Sequence, residues 1–102
     1  MTRARLPATR TGKTTKCHVG KVTLYLTVNR TADGPPLEVF GKAEEGHQGE
    51  VDGLCILASL ALQHGCPAET IARHLRHRRY PPEGIAGQPC SLSDAIGRVL
   101  EQ

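Results

Sequence analysis

Aromatic side chains are nearly missing from this chain, which has no tryptophan, one phenylalanine and two tyrosines. A core built from it has to be aliphatic, and stacking surfaces for nucleic-acid bases are poorly supplied. No run approaches the roughly 18 apolar residues of a membrane span, and the opening MTRARLPATR lacks the apolar stretch of a signal peptide. A soluble, cytoplasmic protein with no membrane partner is therefore expected. Close cysteine pairs are missing too. Cys17, Cys55, Cys66 and Cys90 are far apart, and neither Cys17-His18 nor His64-x-Cys66 has zinc-finger spacing. Structural thiols are expected rather than disulfides or a metal site, with Cys55 read as a small buried hydrophobe. There is also no GxxxxGK[ST] phosphate loop.

What is present fits one domain of 102 residues with its own core. Residues 1 to 11 are basic and form an expected N-terminal arm, and residues 12 to 102 the domain. Lys13 to Val19 reads as a first strand, turned at Gly20-Lys21 into Val22 to Val28, where apolar residues alternate with Thr23, Tyr25 and Thr27. Asp33-Gly34 with Pro35-Pro36 is turn chemistry, and Leu37 to Lys42 follows as a third strand. From Gly41 to Gly53 the chain is rich in glycine and acid, including Glu44, Glu45 and Glu50, and reads as a flexible connection.

Three helices are expected next. Val51 to His64 is apolar almost all round, which predicts a central pillar with little exposure, stopped by Gly65 in a left-handed conformation. Pro67 to about His77 forms the second, with Glu69 in its first turn. Ser91-x-x-Asp94 resembles a capping box before Leu92 to Leu100, whose apolar spacing is helical. Strands followed by helices define an α+β fold: a three-stranded antiparallel meander with three helices packed on one sheet face.

The chemistry-bearing feature is positive charge. The formal net charge is +3, with five histidines besides. The second helix ends in Arg73, His74, Arg76, His77, Arg78 and Arg79, then Tyr80. So many cations exceed what a helix terminus needs, and guanidinium forks suit phosphate oxygens. Arg73, Arg76, His77, Arg78, Arg79 and Tyr80 are the candidate ligand-binding residues, with Arg3, Arg5 and Arg10 as arm contacts. The plainer reading of both groups is a solvated surface. No catalytic acid, base or nucleophile constellation stands out, and the five histidines are scattered.

Five segments in the same order resemble the TSCPD domain: RARLPATR, LYLTVNRTADGPPLEVF, SLALQHG, RHRRYPPEGIAG and SDAI. That family occurs near the C-terminus of adenosylcobalamin-dependent ribonucleotide reductases and as small free-standing proteins. Arg5, Leu6, Pro7, Thr9 and Arg10 match its RLP-x-TR start, and His77, Arg79, Tyr80, Pro82 and Gly84 its later H-x-R-[FY]-x-P-x-G loop. The motif that names the domain falls near Cys90 to Asp94. Only Ser91 and Asp94 keep it, and Leu92 takes the place of its cysteine.

The resemblance implies a setting in nucleotide metabolism without the catalytic barrel, cobalamin site or radical cysteine, so neither catalysis nor a cofactor is expected. A non-catalytic module binding a nucleotide or other phosphorylated small molecule ranks first. A module docking on a reductase, or on itself as a homodimer, ranks second. Nucleic-acid binding ranks third because aromatics are few and net charge is modest.

Overall fold

The computed structural model describes residues 3–32, 34–44 and 46–102. Strands β1 (Thr11–Val19), β2 (Val22–Arg30) and β3 (Pro36–Ala43) form one antiparallel sheet in the order β1-β2-β3. Helices α1 (Gln48–Gln63), α2 (Ala68–Leu75) and α3 (Leu92–Leu100) follow. The expected α+β meander with three helices is present. The β1–β2 hairpin turns through Gly20 and Lys21, with Val19 opposite Val22 and Gly20 at φ 61°. Asp33 of the second expected turn lies outside the described residues; beside it, the Gly34 amide donates to the Thr31 carbonyl.

Period-two alternation sets which side of β2 is buried. Val22, Leu24, Leu26 and Val28 face the helices, and Thr23, Tyr25 and Thr27 face away. The core is aliphatic, as the composition requires, and joins these residues to Val19, Val39, Val51, Leu62, Leu92, Ile96, Val99 and Leu100. Helix α1 lies against β3, α3 reaches β1 and β2, and α2 packs chiefly against α3. Close crossings depend on missing side chains. A Cβ on Gly41 would stand 2.6 Å from Leu26 and 2.8 Å from Val51, and one on Gly97 would meet the Arg76 side chain at 2.9 Å.

Two expectations need correction. Helix α1 begins at Gln48, so residues 48 to 53 are helical rather than a flexible connection. The Gln48 side chain accepts from the Ala43 amide at 2.7 Å and donates to the Gly41 carbonyl at 2.9 Å, joining the strand end to the first helical turn. Glu45, between them, lies outside the described residues. Nor is α1 a central pillar. It buries Val51, Cys55, Ala58 and Leu62, while Ile56 and Leu57 are 59% and 67% exposed. It flanks the sheet over an edge strand, and nothing among the described residues covers its far side. The stop at Gly65 is as expected. Gly65 has φ 96° and its amide donates to Leu62, while Cys66 donates to Ala61, the paired bonds of a Schellman end.

The polar residues of α1 protect the free edge of β3. Ser59 Oγ accepts from the Val39 amide at 3.0 Å and donates to its carbonyl at 2.9 Å. Gln63 Nε2 donates to the Leu37 carbonyl at 3.0 Å. With Gln48, these side chains occupy hydrogen-bonding positions that would otherwise template another strand.

Candidate functional site

The basic corner is organised by one carboxylate. Asp94 lies in the first turn of α3, capped by Ser91, whose Oγ accepts from the Asp94 amide at 3.1 Å. The expected cap is therefore present, but the Asp94 carboxylate reaches outward from it. One oxygen accepts from Arg76 Nε at 2.8 Å and from the His77 amide at 2.9 Å. The other accepts from the Cys90 amide at 2.9 Å, with Arg98 Nε at 3.6 Å. Asp94 is 1% exposed. Burial alone would raise its pKa, but the amides of His77 and Cys90 and the Arg76 guanidinium outweigh that and hold it well below the usual carboxylate range.

This anchor divides the candidate residues. Arg76 turns inward to Asp94 and Glu101 and is a structural cation. His77 takes a left-handed backbone at φ 64°, held by the hydrogen bond its amide donates to the Asp94 carboxylate. Tyr80 is half-buried; its hydroxyl donates to Glu50 at 2.8 Å and accepts from the Ser93 amide at 3.0 Å, clipping the loop to α1 and α3. Burial first, then the Glu50 carboxylate, raise its pKa and keep it a phenol. Arg78 donates through Nε to the His74 carbonyl at 2.6 Å. Arg73, His77, Arg78 and Arg79 stay exposed. The six residues therefore do not converge as one site.

The arm is different. The Ala4 amide donates to the Gln63 carbonyl at 2.6 Å, and Arg3 Nε donates to Gln63 Oε1 at 2.5 Å. Arg10 Nε lies 3.7 Å from Glu38. These contacts fold the arm back over the end of α1, and Arg3, Arg5 and Arg10 then line one hollow of about 590 Å³ with Ala4, Leu6 and Gln63. Arg3 commits one of its five N–H donors, and Arg5 is exposed with no ion pair among the described residues. Gln63, 4% exposed, is the residue that sequence reasoning missed. A glutamine directly after the apolar run Leu60-Ala61-Leu62 was the available signal.

The cysteines are all free. Burial pushes the Cys55 thiol up to about 12, with Asp52 adding to the shift, and burial also raises Cys17. Neither is a ready thiolate. Among the described residues, no three His, Cys, Asp or Glu side chains form a group able to hold a metal ion. Leu92, in the place of the resembled motif's cysteine, is wholly buried in the core, where an aliphatic side chain packs.

Fold and site together define a small α+β module with an arginine-lined hollow and an internally braced basic corner. The TSCPD domain profile matches residues 2–102, and the chain belongs to that family. It is 37% identical over 90 residues to a vitamin B12-dependent ribonucleotide reductase of Streptantibioticus cattleyicolor, an alignment covering 85% of this chain and 15% of that protein. The reductase of the same name from Streptomyces clavuligerus is also 37% identical over 90 residues, 9% of its length. That from Rhodopirellula baltica is 38% identical over 85 residues, covering 80% of this chain and 8% of the relative. The chain thus spans a small fraction of the reductases it matches. No solved structure gives a significant match. No helix among the described residues is long and apolar enough to cross a membrane.

Proposed function

We propose that this chain is a non-catalytic, reductase-related module that binds a phosphorylated small molecule, with a nucleotide the class its relatives' name suggests. One observation carries the reading: Arg3, Arg5 and Arg10 line a single hollow. Guanidinium groups placed around one concavity suit the several oxygens of a phosphate chain. The arm supplies the charge and Gln63 holds the arm in place. Arg73, Arg78 and Arg79 add positive potential that favours anion approach without forming the cradle.

A thermal-shift series against nucleoside mono-, di- and triphosphates tests this. A saturable rise in melting temperature is expected, growing with phosphate number and lost in Arg5→Ala. The Arg5→Ala protein keeps the unliganded melting temperature, because Arg5 is exposed. A flat series contradicts the reading, and so does a shift that survives Arg5→Ala and Arg10→Ala.

A second reading, docking on a reductase, is favoured by the exposed Ile56 and Leu57 on α1. It predicts that purified B12-dependent reductase retains this chain on a column and that Leu57→Asp releases it.

A further inference from the structure

We propose that the uncovered face of the sheet binds single-stranded nucleic acid. Helices α1 and α3 pack on the other face and α2 packs on α3, so among the described residues no layer covers the outward side chains of β1, β2 and β3. Two of the three aromatic residues in the chain stand on that face, Tyr25 at 45% exposure and Phe40 at 50%. A sequence this poor in aromatic rings gains most by burying them, yet its core is closed with aliphatic side chains and these rings are left in water. Scarcity of aromatics argued against base stacking in the sequence. Their concentration on one open surface reverses that weight.

Register places the charges around the rings. Lys16 is opposite Tyr25 on one side and Lys42 on the other, and Phe40 lies diagonally from Tyr25, opposite Thr27. Diagonal neighbours on adjacent strands are about 7 Å apart, within reach of two rings presenting their faces to successive bases. Lys16 Nζ lies over the Tyr25 ring, 5.8 Å from its centroid, and on its flexible stem would swing off that face to a phosphate as a base stacks there. Strand β1 contains no acidic residue. A hollow of about 370 Å³ beside Tyr25 is lined by Lys16, Thr23, Lys42, Ala43 and Glu44. Glu44 stands at the β3 end of that hollow, beyond Lys42. Stacking without base-edge readout gives tolerance of sequence.

The arm reaches the β3 edge of this face, where Arg3 and Leu6 share a hollow with Phe40, whereas Tyr25, Lys16 and Lys42 line a different hollow, so variants at Tyr25 and at Arg5 separate the two proposals. The test is fluorescence anisotropy of the full chain with labelled oligo-dT and oligo-rU at several salt concentrations. Saturable binding to single strands, weaker binding to duplex and at least a tenfold loss in the Tyr25→Leu, Phe40→Leu double variant are expected, with the melting temperature unchanged. Each of Lys16→Gln and Lys42→Gln should flatten the log–log salt slope by about 0.7. Four binding outcomes overturn the proposal. They are no binding, duplex bound as tightly as single strands, binding indifferent to the two rings, and loss with Arg5→Ala instead, which assigns the polyanion to the arm. Sedimentation showing a dimer that the ring variants dissociate also overturns it, because the face would then be covered by a second copy.

Discussion

Helices α1 and α3 lie on the same side of the sheet and are covered in opposite measure. Helix α1 has 16 residues, reads as the most apolar segment of the chain, and leaves Ile56 and Leu57 in water. Helix α3 has nine residues including Ser93, Asp94, Gly97 and Arg98, and every one except Arg98 is buried. Position decides this more than composition does. Helix α3 has the sheet on one side and α2 on another, whereas α1 flanks β3 with no layer behind it among the described residues. The polar content of the two helices also differs in use. In α1, Gln48, Ser59 and Gln63 close the edge of a strand. In α3, Asp94 gathers two backbone amides and a guanidinium from outside its own helix.

One of the two largest effects should come from Asp94. Replacing it with Ala leaves Arg76 partly buried and strands the His77 and Cys90 amides, a loss of roughly 3 kcal/mol in urea denaturation. Its pKa is lowered on folding, so its stabilising contribution is complete above the unfolded value of about 4 and is lost as pH falls through the lower folded value. Melting temperature should therefore drop on acidification from about pH 4 in the wild type. Asp94→Asn, which cannot titrate, should show a shallower acid limb.

An equal truncation in the two helices sharpens the comparison. Ile96→Ala removes a side chain with no exposed surface and should cost roughly 2–5 kcal/mol. Ile56→Ala should stay within about 0.5 kcal/mol. Similar losses in the two variants would mean that α1 is covered after all. An effect between those two is expected at the strand edge. Ser59→Ala leaves the Val39 amide unpaired, at about 1 kcal/mol, with faster hydrogen exchange at that amide.

The sheet was legible in the sequence because its signals are local: alternation along β2, a glycine in the β1–β2 turn, and Pro35-Pro36 at the entry to β3. The Ser91 cap and the Gly65 stop were legible for the same reason. The exposure of Ile56 and Leu57 was not, because helical periodicity identifies apolar residues and not whether another layer lies over them. The start of α1 was hidden by Gly49 and Gly53, weak helix formers whose cost is offset by Gln48 bonding back to β3. At the site, the cations were visible by type, but which of them are held internally depends on Asp94, 18 residues from Arg76 in sequence. The convergence of Arg3, Arg5 and Arg10 likewise depends on Gln63, 60 residues from Arg3. Contacts at such separations leave no spacing pattern to read.

The most direct test of the phosphate-cradle claim is an amide NMR titration of the full chain with a nucleoside triphosphate. The account predicts saturable shifts in residues 3 to 10 and at Gln63, abolished by Arg5→Ala while the remaining spectrum is unchanged. Shifts confined to residues 73 to 80 or to the open sheet face, or no saturable shift at all, would contradict it.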